Sequence, residues 1–366
     1  MSSSVRAGFA VGVVTLIITT CLCLLALTRY GALDFARLGT YFCCDEPNGS
    51  TGYDGQFAFY IAAYGASATP LLDGATLRYQ RIVYPMTARA LAFGRADFTL
   101  YTLIGINITA HSVGAGLLAY LIAKKPAWRA KPLQMIIPFG FSLYFGAMIA
   151  VRLDLNEPLC IALGLGAVVA YTHQRWRSTV ILLILSTLTK EIGLVFAVGL
   201  ALYTFFNAPL GWAIYLVLPP AVAFLAWWGV LYITFDTLPT VYPAAQNIRL
   251  IPFNGLFAEE TPVEFIMLMI WIALPTVILI GMALRRIVVT RALSLSTALV
   301  LVSAAWVAFM PDVTWVDPVA AYRVAVPIVV SGLYFASDGK RGGALLFTIL
   351  WASSFMITLI TPGVWT

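Results

Sequence analysis

From Ala7 to Leu27 the chain runs for 21 positions without a charged side chain, and apolar stretches of similar kind recur almost to its end. About 20 such residues in a helix cross the hydrocarbon of a bilayer. Inside hydrocarbon the backbone must satisfy its own hydrogen bonds, as a helix does. Charged residues make up only 10% of the 366 positions, and the mean hydropathy is +0.90. A water-soluble domain needs a more polar surface than that. The reading is an all-α, polytopic transmembrane helix bundle, a single integral-membrane domain over residues 1–366. The first run lacks a small-residue cleavage site and reads as a retained span.

Apolar runs bounded by charge or by Pro/Gly breaks predict about eleven spans, near 7–28, 99–123, 132–151, 158–172, 178–189, 192–206, 212–234, 263–284, 293–310, 322–337 and 343–360. With the N-terminus cytoplasmic, the inside segments hold Arg6, Lys124, Lys125, Arg129, Lys131, Arg175, Arg177, Arg285, Arg286, Arg291, Lys340 and Arg341, which is 12 of 22 basic residues, against the single acid Asp338. The other 15 of 16 acids fall outside. Lys and Arg orient spans, whereas Asp and Glu contribute little. The outward gathering of acids therefore has another cause, and the outer face is where chemistry is expected. The short basic inner loops set orientation and touch anionic lipid headgroups. They hold no folded module that could read nucleic acid. Of the five cysteines, Cys21, Cys23 and Cys160 lie in apolar runs, and adjacent Cys43 and Cys44 lack the further ligands of a zinc site.

Residues 29–98 form a first outer loop of about seventy residues, too long for a simple connection. In "GYDGQFAFYIAAYG" (52–65), Phe57, Tyr60, Ile61 and Tyr64 follow the spacing of one helical face, which predicts an interfacial helix with its aromatics at headgroup depth. Asp54 opens it. From position alone the commoner role for Asp54 is the helix N-cap, and the sharper one is a general base. A second amphipathic stretch, "RYQRIVYPMTARALAFG", starts with Arg78, Gln80 and Arg81. Arginines there either snorkel to lipid phosphate or grip a bound phosphate with paired donors.

"GYDGQF", followed some twenty residues later by "RYQRIVYP", resembles the first outer loop of bacterial integral-membrane proteins related to type C glycosyltransferases, which take sugars from polyprenyl-phosphate carriers. The close likeness covers about 52–85, with shorter echoes in "LTKE" and "AYR". It implies that Asp54 is the base and that a late basic residue, Arg323, binds the carrier phosphate. Many members carry a close acidic pair in this loop. Here Asp45-Glu46 is adjacent but upstream and competes with Asp54 for the role. The large C-terminal outer domain of many relatives is missing from the pattern.

Three further clusters lie on the same face. "RLDLNEP" places Arg152, Asp154, Asn156 and Glu157 in a turn between spans, read either as a solvated loop or as a polar wall of the donor pocket, with a divalent-cation site as a further option. In "TLTKEIG", Lys190-Glu191 interrupts an apolar run at a depth where charges face a polar cavity or pair with one another. "PDVTWVDPVAAYR" ends on Arg323, which otherwise reads as a snorkelling anchor. The expected substrate-binding set is Tyr53, Gln56, Arg78, Gln80, Arg81, Arg152, Asp154, Glu157, Lys190, Glu191 and Arg323. The loop 235–262 reads as an acceptor lid. Asn107 and His111 read as interhelical hydrogen-bonders. The function expected is sugar transfer from a polyprenyl-phosphate donor to a glycan, lipid or protein hydroxyl on the outer face of a bacterial inner membrane. The rivals are a lipid or sugar transporter or flippase, for which no internal repeat is found, and a non-catalytic membrane subunit of a larger assembly.

Overall fold

The computed structural model describes residues 2–44, 46–128, 132–241, 250–258 and 261–360, and among these every regular element is helical. Asp45, Arg129, Lys131 and much of the loop 235–262 (242–249 and 259–260) lie outside the described residues. Five helices are long and apolar enough to cross a membrane: α1 (Ser3–Tyr30), α5 (Ala96–Ala123), α10 (Leu210–Phe235), α11 (Pro262–Thr290) and α15 (Arg341–Thr358). A sixth span results if α13 (Pro318–Val324) and α14 (Val326–Ala336), bent by 42° at their junction, count as one. Four shorter apolar helices stand among them: α7 (Glu157–Thr172), α8 (Trp176–Thr189), α9 (Glu191–Asn207) and α12 (Leu295–Ala308). The chain is an all-helical integral membrane protein.

Among the described residues the ion pairs fall into two sets, with none joining one set to the other. At one end, Lys125 and Arg286 both reach Asp338, at 2.6 and 2.9 Å. There too, Tyr120 meets His173 at 2.6 Å, and Asn207 Nδ2 donates to the Leu293 carbonyl at 3.2 Å. At the other end gather Asp54, Arg78, Glu157, Lys190 and Arg323. These are the two groups into which the charge pattern divided the connections. Between the ends, Asn107 donates to the Tyr84 hydroxyl and the His111 ring meets the Ser142 carbonyl, both contacts between separate elements.

The first loop folds differently from expectation. α2 (Gly55–Tyr64) does not lie on an interface, because every residue from Gly55 to Ala63 is buried. The stripe Phe57, Tyr60, Ile61, Tyr64 is real, but the opposite face carries Ala58, Phe59, Ala62 and Ala63. A helix apolar all round belongs in a core. Its last carbonyls, which a helix end leaves unbonded, accept from Arg89 at 3.0 Å (Ala62) and 2.8 Å (Ala63). Arg89 comes from α4 (Val83–Leu91), which is amphipathic, with Tyr84, Pro85 and Ala88 buried and Met86 and Leu91 exposed. Between them lies the short α3 (Ala75–Tyr79), whose last carbonyl accepts from Trp227 of α10 at 2.9 Å.

Two glycines set how closely the site elements approach. A Cβ on Gly55 would lie 2.1 Å from the carbonyl oxygen of Leu153, so only glycine lets the start of α2 rest on the turn after α6 (Phe145–Arg152). A Cβ on Gly146 of α6 would lie 2.1 Å from the Tyr322 carbonyl oxygen, which brings α13 onto α6. Asp54, the 153–157 turn and Arg323 converge as a result. Cys43 and Cys44 are joined to each other in a disulfide, a pairing that their adjacency concealed.

Candidate functional site

Asp54 precedes α2 and makes no side-chain cap bond, so the commoner sequence reading of it does not hold. Its carboxylate is gripped from two sides instead. Arg78 Nη1 donates to Oδ1 at 2.8 Å and Arg323 Nη2 to Oδ2 at 2.5 Å. Arg78 is itself fixed by a paired contact with Asp73, at 2.7 and 2.6 Å, and lies over the Phe57 ring at 4.1 Å. Arg323 continues to Glu157 Oε1 at 3.1 Å, and Lys190 meets the same oxygen at 2.5 Å. The result is one chain of alternating charge, Asp73, Arg78, Asp54, Arg323, Glu157, Lys190. Beside it Arg81 holds Glu191 with two donors, at 3.1 and 2.7 Å, and Gln80 Nε2 adds a third at 3.2 Å.

Lys190 and Glu191, neighbours in sequence, thus face different partners. A 3-10 turn at Glu191–Gly193 breaks the helical path between α8 and α9 and sends the two side chains apart. The 152–158 turn is not a solvated loop either: Arg152, Asp154 and Glu157 are all buried. Only its second half, Leu155 to Glu157, lines the cleft. Arg152 points away to Asp34 and over the Phe35 ring. Asp154 is fully buried, with neither carboxylate oxygen hydrogen-bonded. Burial pushes its carboxyl well above the ordinary range, outweighing the opposing pull of Arg152 and Asn107.

The cleft is lined by Asp54, Arg78, Arg81, Glu157, Lys190 and Arg323 on an apolar floor that includes Phe57 and Ile61. Four cations therefore face two carboxylates. Its free space is about 20 Å³, room for a water or two. Arg323 Nε and Glu157 Oε2 are buried there without partners, and buried polar atoms in that state mark a place for water or ligand. Burial pushes the Asp54 carboxyl up, but Arg78 and Arg323, with Arg81 and Lys190 behind them, outweigh it and hold it well below the usual carboxylate range.

The expected residues divide accordingly. Asp54, Arg78, Arg81, Glu157, Lys190 and Arg323 meet at the cleft, while Glu191 and Gln80 brace Arg81 from behind it. Tyr53 flanks the cleft, its hydroxyl donating to Asp317 at 2.9 Å and its ring 5.2 Å beneath Arg323. Gln56 is a loop staple: its Oε1 accepts from Gly39 N at 3.0 Å and its Nε2 donates to Thr51 O at 2.7 Å. The described part of the loop 235–262 contributes no lining residue; Asn254 there binds Asp312 at 3.2 Å. Sequence reading missed Asp73, which no periodic pattern distinguishes from other loop acids; Asn156, which it placed in the turn but not in the binding set, ties that turn to the Thr189 carbonyl through Nδ2 at 3.1 Å. A divalent cation does not fit the 152–158 turn. Glu157 is engaged by two cations, and no group of three metal-ligating side chains occurs among the described residues. Compared with known protein families, curated proteins and solved structures, the chain matches none.

Proposed function

We propose that the protein is a membrane glycosyltransferase of the type C kind, transferring a sugar from a polyprenyl-phosphate donor to a hydroxyl of a glycan, lipid or protein acceptor. The observation that supports this reading is the carboxylate of Asp54 held between the guanidiniums of Arg78 and Arg323 in a cleft lined by four cations. Two guanidiniums spaced to bracket a carboxylate also suit a phosphate. Arrival of the donor moves Arg78 and Arg323 from Asp54 to the phosphate. Freed of its partners, Asp54 regains basicity where a base is needed. It takes the proton of the acceptor hydroxyl as that oxygen attacks the anomeric carbon. The bond from that carbon to the phosphate oxygen breaks on the opposite side, giving inversion. Arg78, Arg81, Lys190 and Arg323 stabilise the charge gathering on the departing polyprenyl phosphate.

In this reading the bundle has eleven spans: the five long helices, the bent α13–α14 pair, the four shorter apolar helices and the broken segment 132–151. The N-terminus is cytoplasmic, and the cleft opens on the outer side of a bacterial inner membrane. The test is incubation of the purified protein with radiolabelled polyprenyl-phosphate sugars and candidate acceptors. Native protein yields labelled, inverted product, and Asp54→Asn lowers turnover about 100- to 10,000-fold, the usual contribution of a general base, while still melting cooperatively as a folded protein. Full activity of Asp54→Asn removes the proposed base. Movement of label across vesicles without transfer identifies a transporter, and a function indifferent to this substitution identifies a non-catalytic subunit.

A further inference from the structure

At the end of the bundle opposite the cleft, the turn between α7 and α8 and the turn between α9 and α10 enclose a recess of about 810 Å³. Its walls include Arg175, Trp176, Arg177, Trp212 and Tyr215. The rings of Trp176 and Trp212 stack at 4.3 Å, 23° from parallel, and Tyr215 meets Trp212 edge-on at 5.8 Å. The stack is a flat apolar wall. Arg175 and Arg177 are exposed and pair with no carboxylate among the described residues. Asp338, the acid at this end, is already held by Lys125, Arg286 and Ser296. The positive charge at this recess is therefore unneutralised by the protein, whereas every cation lining the cleft is paired.

We propose that this recess binds an anionic glycerophospholipid, its phosphate between Arg175 and Arg177 and its acyl chains against the tryptophan stack. Guanidinium forks match phosphate oxygens. α8 and α10 both begin at the recess, and neither has a side-chain cap. Their leading N–H groups and helix dipoles add to the attraction for an anion. A soluble phosphate would use only this half of the site. The other half continues from Tyr215 along the same face of α10 through Leu218 and Val222, exposed by 37, 53 and 53%. That apolar strip runs in the direction in which a membrane-spanning helix meets lipid tails, so an amphiphile uses both halves. Basic pockets between spans are known to suit anionic headgroups.

This assignment is independent of the proposed glycosyl transfer. It is tested by native mass spectrometry of the full-length protein in detergent, titrated with phosphatidylglycerol or phosphatidylcholine of matched chains. One tightly held phosphatidylglycerol per chain is expected, with phosphatidylcholine displaced from it. Arg175→Gln/Arg177→Gln weakens retention by about 30-fold, the scale of two cations near an anionic lipid surface. Trp212→Ala, which keeps both arginines, weakens it less and shortens residence. Arg175→Lys/Arg177→Lys, which keeps the charge, retains most of the binding and controls for misfolding. Equal retention of the two lipids, or undiminished phosphatidylglycerol binding in the Gln double variant, overturns the proposal. So does full displacement by glycerol phosphate, which would make the recess a site for free phosphate.

Discussion

Asp54 and Asp154 are two buried carboxyls at opposite electrostatic limits. Asp54 lies among guanidiniums, which hold its carboxyl well below the usual range; at Asp154 burial outweighs Arg152 and Asn107 and holds the carboxyl well above it. The pH dependence of each follows. Because the folded-state value of Asp54 lies below the roughly 3.9 of an unfolded chain, its stabilising contribution is complete above that pH and disappears as the pH falls through the folded value. Asp54→Asn is therefore expected to lower the melting temperature at pH 7, with the gap to native protein closing below about pH 4. A gap that widens in acid contradicts the clamp. Asp154→Asn substitutes an amide of the same shape for a carboxyl that burial biases toward its neutral form, and is expected to change melting temperature and turnover little, within the ~0.5 kcal/mol of a neutral substitution. A large loss would mean that Asp154 works as an anion. The charged residues around Asp54 were legible because the charge pattern sets most acids apart from the basic loops without any need for them in membrane insertion. Their pairings were not legible. Lys190 and Glu191 sit side by side in sequence, and only the backbone break at Glu191–Gly193 shows that they serve different partners. Gln56 was legible as unusual, but its work as a staple between Gly39 and Thr51 depends on contacts that no local pattern encodes.

At the scale of elements, the site depends on backbones that touch. α2 reaches the 153–157 turn only because residue 55 has no side chain. Gly55→Ala is expected to push α2 off that turn, separating Asp54 from Arg323, and to cost about 1–3 kcal/mol as an overpacked contact. Gly105→Ala, where a Cβ meets open space, is the matched control. A thermal melt and a transfer assay on both variants check this: loss in the first without loss in the second is the expected pattern, and equal behaviour contradicts it. Helix α2 also shows where periodicity misleads. An apolar stripe at i, i+3, i+4, i+7 is the same whether the other face is polar or apolar, and the small residues Ala58, Ala62 and Ala63 opposite the aromatics are what put α2 in the core. α4, with a polar face, kept the amphipathic character that its pattern predicted.

For the whole molecule, hydropathy foresaw an all-helical membrane bundle, and among the described residues every regular element is helical. The long helices α1, α5, α10, α11 and α15 stood where the apolar runs placed them. The shorter helices α7, α8, α9 and α12 could not be weighed from sequence in the same way. Length decides a span only when a helix is long enough, and short ones depend on how the bundle shields them. The account of the molecule rests on one exchange, in which the donor phosphate takes the guanidiniums that Asp54 holds at rest. The direct measurement is the affinity of sugar-free polyprenyl phosphate for native protein and for Asp54→Asn, in the same detergent at pH 7. With its competitor for Arg78 and Arg323 removed, Asp54→Asn is expected to bind the phosphate more tightly, by about tenfold or more, while transferring almost no sugar. Unchanged or weaker binding by Asp54→Asn would contradict the exchange and, with it, the assignment of the cleft to a lipid-borne phosphate.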